Sequence, residues 1–134
     1  MIIFLLKCIV DSSALPVFKT LLNHSNIGIQ KEAVWTLSNI IAGTQLQIQS
    51  VIKAELIPLL VHLLVKGELR VQKEVAVAIS NFTSGGNTEQ MMYLVFQCQA
   101  IKPMCDLLDS IEPNIVKSLL SGLSDILLVN SKNL

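Results

Sequence analysis

The chain has 134 residues, enough for one continuous core and too few for two ordinary domains. Hydrophobic residues make up 51% and charged residues 15%, which excludes disorder, and Trp35, Tyr93 and four phenylalanines supply the only aromatic rings, so the packing must be aliphatic. Formal net charge is zero, so no global field draws the chain to nucleic acid or an acidic membrane; a charged partner has to be met by a local patch.

The first ten residues, MIIFLLKCIV, are apolar but lack a basic leader and run into Asp11 without a small-residue cleavage site. A membrane span needs about 20 apolar residues. Residues 1–9 are therefore expected to be the remnant of a helix whose preceding partner is absent. Next comes Leu15-Pro16 with Leu21-Leu22, and then a helical stretch over Gln30–Gly43. Leu56–Val65 carries Pro58 near its start, where a missing N–H costs least, and Gly67 is placed to end it. Arg70 to Thr83 has helical apolar spacing without Gly or Pro, and Gly85-Gly86 stops it. Asn87 with Gln90 three places on has the form of a capping box opening the next helix. Lys102-Pro103, Leu107-Leu108 and the apolar run Ile115 to Leu128 complete the chain. No segment alternates like a strand and no hairpin turn occurs, so the fold is all-α.

The order of these elements repeats. A shift of 42 places Pro16 on Pro58, Leu21-Leu22 on Leu63-Leu64, Gln30-Lys31-Glu32 on Gln72-Lys73-Glu74, Ser38-Asn39 on Ser80-Asn81 and Gly43 on Gly85. Leu15 falls on Ile57, Ile29 on Val71 and Leu37 on Ile79. A weaker third copy follows at a shift of 45, Pro58 to Pro103, with the difference assigned to the longer loop Ser84–Asn87. One short helix and two longer ones every 42 residues is the period of armadillo and HEAT arrays, whose units bury their apolar faces only by stacking. The chain is read as a single domain, 1–134, with repeats near 10–44, 45–86 and 87–130.

On the long helix of the first repeat, Glu32, Trp35 and Asn39 are three and four residues apart and share a face. A carboxylate, an indole and a primary amide suit an extended basic peptide. The amide pairs with the peptide backbone, the indole packs a Lys stem and attracts its cation, and Glu neutralises the ammonium. The row recurs in part as Glu74, Val77 and Asn81.

Cys8, Cys98 and Cys105 contain no CxxC pair, and neither His24 nor His62 completes a zinc set, so no metal or other cofactor is expected. The thiols are expected to be reduced and mostly buried, and His62 to pack among leucines against a neighbouring repeat. Arg70 is either a groove-flanking charge or a solvated helix start. With no phosphate loop, HExxH or Cys/His pairing, the chain is read as a non-enzyme.

The segments KEAVWTLSNIIAG (31–43) and KEVAVAISNFTSGG (73–86) resemble the third helices of the importin-α family, and IQSVIKAELIPLLVHLL (48–64) and YLVFQCQAIKPMCDLLD (93–109) resemble its first and second helices. The resemblance covers about residues 10–130. It implies an armadillo-repeat right-handed superhelical solenoid of about three repeats, from the last third of that family's array, where its minor site for nuclear localisation signals lies. Nuclear import adaptor function and residence in cytoplasm and nucleus are implied with it. The family's tryptophan and asparagine fall on Trp35 and Asn39, then on Val77 and Asn81, then on Ser121 and Asp125, and its acidic groove positions on Glu32 and Glu74. The expected peptide-binding set is Glu32, Trp35, Ser38, Asn39, Glu74, Val77 and Asn81, with basic Lys/Arg-rich cargo segments as partners. Losing the indole at Val77 removes one wall of a lysine slot, worth about 1 kcal/mol or more.

The family's glycines between first and second helices, where a left-handed turn is needed, are replaced by Ser13, Glu55 and Gln99. Its basic N-terminal segment is missing, so recruitment of importin-β is not expected, and neither nucleic acid nor membrane is an expected partner. Two alternatives stay open: a general armadillo scaffold whose third-helix faces bind an amphipathic helix, and a truncated copy without cargo binding. Ile2–Leu6 and Leu119–Leu128 are expected to leave apolar faces at the two ends, favouring self-association.

Overall fold

A computed structural model describes residues 2–132, which contain helices and turns and no strand. The helices fall into successive triplets. The first is α1 (Ile2–Asp11), α2 (Phe18–Leu22, entered through a 3₁₀ turn at Leu15–Val17) and α3 (Ile27–Ile41). The second is α4 (Gln45–Lys53), α5 (Ile57–Lys66) and α6 (Leu69–Gly85). The third is α7 (Thr88–Met92, running on as a π turn over Tyr93–Gln97), α8 (Ile101–Asp106, with a 3₁₀ turn at Leu107–Asp109) and α9 (Pro113–Lys132). The long helix is the third of each triplet and the first two are both short, 9 and 10 residues against 17 in the middle triplet, where one short and two long helices were expected. Gly67 stops α5 early: a Cβ there would sit 2.5 Å from the Leu63 carbonyl oxygen, so only glycine lets the chain turn out into α6. Its φ is −73°, so the reason is close approach and not a left-handed conformation.

Between the first and second helix of each triplet the chain turns through a left-handed residue, and none of the three is glycine: Ser13 (φ 61°), Glu55 (φ 60°) and Gln99 (φ 53°). At Glu55 the geometry is a Schellman motif, with the Glu55 N–H donating to Ile52 O and the Leu56 N–H to Val51 O. Ser13 and Glu55 are 42 residues apart and Glu55 and Gln99 are 44 apart. One of the two extra residues lies in the loop, between the N-cap residues Thr44 and Asn87. The other lies inside the first helix of the third triplet and is taken up by the π turn, where the Cys98 N–H reaches back five residues to Tyr93 O. The sequence shift of 45 was therefore one too long, because Pro103 stands one place later in its helix than Pro58 does.

α3, α6 and α9 pack side by side, α6 between the other two, and the short helices stack on them. The core is aliphatic and continuous, from Leu22, Leu37 and Ile41 through Ile48, Leu56, Leu60 and Leu64 to Val75, Phe82, Leu94, Met104 and Leu119. Polar groups inside it are placed by the repeat. The Gln30 amide donates to Leu22 O at 2.7 Å and the Gln72 amide to Leu64 O at 2.9 Å, so each closes the carbonyl end of the preceding short helix. This accounts for the recurrence of glutamine beside Lys-Glu. Capping boxes at Thr44/Gln47 and Asn87/Gln90 start α4 and α7, and the Gln90 amide also reaches Gln45 O and Gln49 Oε1 of the preceding triplet.

Several expectations need correction. Cys8 and Cys105 are exposed and Cys98 is half-buried, so the thiols are not mostly buried. His62 is exposed, on the side of α5 away from Val61, Leu63 and Leu64. Arg70 is exposed and lies 3.8 Å from Glu68 at the start of α6, the solvated-start alternative. Among the described residues no cluster of His, Cys, Asp or Glu could hold a metal ion. No single described helix is long and apolar enough to cross a membrane; α4 and α5 reach that composition only together, across a 78° bend.

Candidate functional site: the face of the third helices

Once the core is filled, one stripe of side chains on each of α3, α6 and α9 is left facing out. On α3, Val34, Leu37, Ile40 and Ile41 are buried, and the opposite stripe carries Glu32, Trp35 and Asn39. Trp35 is 52% exposed, although an indole is the largest apolar group the chain has and a core lay within reach. Glu32 is exposed and Asn39 half-buried. On α6 the equivalent Glu74, Val77 and Asn81 are all half-buried. On α9 the same positions hold Ser118, Ser121 and Asp125, with Ser121 exposed and Asp125 half-buried.

Two hydrogen bonds hold the rows in register. The Asn81 amide donates to Ser38 O at 3.0 Å, tying α6 to the turn of α3 between Trp35 and Asn39. The Thr83 hydroxyl lies 3.0 Å from Asp125 Oδ2, tying α6 to α9. The Asn39 amide turns back within its own helix and donates to Trp35 O at 3.1 Å. Ser38 is buried, and its hydroxyl donates to Trp35 O at 2.7 Å, so of the expected set it alone offers no side chain to the face. Its carbonyl serves instead as the anchor for Asn81.

Glu32, Trp35, Asn39, Glu74, Val77 and Asn81 are thus brought to one face, with Asp125 continuing it. Glu32 and Glu74 form no salt bridge among the described residues, whose ion pairs are Lys19–Glu55, Arg70–Glu68 and Lys102–Asp106, all exposed. The face therefore offers uncompensated carboxylates, one free indole and two amides. Thr83 was not singled out in sequence, since a lone threonine two residues past Asn81 carries no signal until α9 is laid beside it.

Three third helices in side-by-side register, each preceded by two short helices and a left-handed turn, define an armadillo array. The armadillo/beta-catenin-like repeat family matches residues 6–42 and 44–84, and the chain belongs to it. Within it the chain is similar to importin α subunits: 52% identical over 107 residues to importin subunit alpha-4 of Arabidopsis thaliana, covering 80% of this chain and 20% of the relative, and 51% identical over 131 residues to importin subunit alpha-1b of Oryza sativa subsp. japonica, covering 96% and 24%. The chain thus spans about a fifth to a quarter of the length of these curated relatives. Among solved structures it superimposes on a designed armadillo repeat protein in complex with the peptide (KR)4, with TM-score 0.84, 32% identity and coverage of 90% of this chain and 49% of that one. A computationally designed armadillo repeat protein for modular peptide recognition gives TM-score 0.85 at 30% identity, covering 90% and 50%.

Proposed function

We propose that the α3/α6 face binds extended, Lys/Arg-rich peptides, in the manner of an adaptor that carries nuclear localisation signals, and that the chain works as one binding domain whose units follow the three helix triplets. The observation that carries this reading is Trp35, 52% exposed on a helix that buries Val34, Leu37, Ile40 and Ile41 around it. Beside it Glu32 pairs with no cation among the described residues, and the Asn39 amide donates to its own helix at Trp35 O. A basic peptide supplies what each group lacks: a stem and cation for the indole, an ammonium or guanidinium for the carboxylate, and backbone N–H and C=O groups for the amide. The relatives named importin subunits and the designed protein holding (KR)4 support the same class of ligand. An adaptor role in nuclear import and residence in cytoplasm and nucleus belong to this proposal, as does a non-enzymatic mechanism resting on binding alone.

In this mechanism the peptide lies along the row from Trp35 to Asp125. Asn39 releases Trp35 O and pairs with the peptide backbone. Val77 holds a hydrophobic but shallow place where the second slot should be, so one register of the peptide is gripped and the next is only brushed. Asp125 ends the row with an acceptor that cannot donate to a peptide carbonyl.

Trp35 is the only tryptophan, so its emission reports occupancy directly. Titration with an alternating Lys/Arg peptide should shift that emission and saturate, with affinity falling as salt rises from about 0.05 to 0.3 M because the carboxylates act through screened charge. Asn39→Ala should weaken every basic peptide by about 1–2 kcal/mol, and Val77→Trp should tighten binding by rebuilding the second slot. A response to an apolar amphipathic helix and none to the basic peptide would replace this reading with the general scaffold. No response to either, in folded protein, would leave a copy without cargo binding.

A further inference from the structure

The rows on α3, α6 and α9 differ in the chemistry of their last member. Asn39 and Asn81 are amides, and the matching place on α9 holds the carboxylate of Asp125. Asp125 is half-buried. So is Asn81, which has a third helix on either side, so the openness of this position belongs to the face and not to the end of the chain. Gly122 lets α9 come close: a Cβ there would lie 3.0 Å from Met104 Cε and 3.5 Å from Thr83 Oγ1. Within that approach Thr83 Oγ1 stands 3.0 Å from Asp125 Oδ2.

That contact does not satisfy the carboxylate. Thr83 Oγ1 also lies 3.0 Å from Ser80 O, and a hydroxyl has a single proton to donate, so Asp125 competes with a backbone carbonyl for it. No buried side-chain oxygen among the described residues lacks a hydrogen-bond partner, so Asp125 Oδ1, with no donor there, reaches the surface. Asp125 belongs to none of the ion pairs among the described residues. The exchange of amide for carboxylate changes what this place can read. An amide pairs with peptide backbone, which every residue supplies; a carboxylate attracts a cation, which only some side chains supply.

Resting on the reading of this face as a groove for basic peptides, we propose that Asp125 is a specificity-determining residue. It selects peptides carrying a second Lys or Arg an even number of residues, roughly four to six, from the one held at Trp35. The spacing follows from the packing. Neighbouring helices lie about 8–10 Å apart, so the two steps from α3 to α9 span about 16–20 Å between axes. An extended chain rising about 3.3 Å per residue covers that in about five or six residues, and in fewer on the concave side of a curved array. Alternate side chains of an extended chain point the same way, so only even separations turn both cations into the groove. The residue passing Val77 needs no charge.

The test follows Trp35 emission with end-capped peptides of serine and glutamine. One carries a single lysine; the others carry a second lysine three, four, five or six residues away, on either side. The unaltered chain should bind the best even separation about 5- to 10-fold more tightly than the odd ones at low salt. Asp125→Asn keeps an acceptor for Thr83 and should abolish that preference while leaving the single-lysine affinity unchanged. Thr83→Val removes the hydroxyl, keeps the charge and should retain the preference. The proposal is overturned by a preference that survives Asp125→Asn, or by one that Thr83→Val abolishes in folded protein. Binding of the single-lysine peptide with no gain from a second lysine at any separation overturns this inference alone. Binding of none of the peptides overturns the proposed function and this inference with it.

Discussion

Replacing Gln99 by glycine should stabilise the protein, and the effect can be worked from the turn itself. A residue with a Cβ pays about 1–2 kcal/mol to sit in the left-handed region, and Gln99 sits there at φ 53° on an exposed turn. Glycine removes that strain but adds about 0.4–1 kcal/mol of chain entropy to the unfolded state. The net gain is about 0.5–1 kcal/mol. With an unfolding entropy of about 2.1 cal/mol/K per residue, about 0.28 kcal/mol/K for this chain, Tm should rise by roughly 2–4 °C. Ser13→Gly should behave alike. Glu55→Gly should gain least, because it also gives up the Lys19 pair at 3.0 Å, an exposed contact worth about 0–1 kcal/mol. Thermal unfolding followed by circular dichroism at 222 nm, with Gln99→Ala as control, measures all of this. Alanine keeps the Cβ and with it the strain. If Gln99→Ala raises Tm as much as Gln99→Gly does, or if the glycine lowers it, the strain argument is wrong.

Gln72→Leu should cost about 1–3 kcal/mol, since it leaves Leu64 O at the buried end of α5 without its donor; Lys73→Ala, one residue on, should cost under about 0.5 kcal/mol, and urea midpoints compare the two. A pH effect follows from Tyr93, whose hydroxyl is pushed up to about 12 by partial burial first, and then by its hydrogen bond to Cys98 and by the charges of Cys98 and Glu55. The unfolded chain releases this proton near pH 10 and the folded chain holds it, so Tyr93 stabilises below pH 10 and that contribution is lost as pH rises towards 12. Urea midpoints at pH 9, 10 and 11 should fall more steeply for the unaltered chain than for Tyr93→Phe, and parallel curves would refute the assignment.

Much of the fold could be read from the residues because a repeat states its spacing more than once. The row Glu32, Trp35, Asn39 and its echo on α6 could be placed on one face from helical spacing alone, and the three left-handed turns could be located because the family's glycines are displaced by Ser13, Glu55 and Gln99 at matching positions. What escaped depends on neighbours that spacing does not name. Gln30 and Gln72 stood out only as matched positions of the repeat, yet each reaches eight residues back to a carbonyl of another helix. Ser38 shares its turn with Asn39 but points 100° away around the helix, into the core. His62 was judged by the leucines beside it in sequence, and on a 10-residue helix leucines on one side say nothing of the residue on the other.

The π turn at Tyr93–Gln97 bears on how such a chain can change over generations. An added residue in a stacked helix would ordinarily rotate everything after it by 100° and tear the stack apart. Here the surplus is swallowed within five residues, before the left-handed turn at Gln99, and α8 and α9 take up their places as though nothing had been inserted. A unit of this architecture can therefore lengthen by single residues without passing through a misaligned ancestor, and copies of unequal length can share one groove.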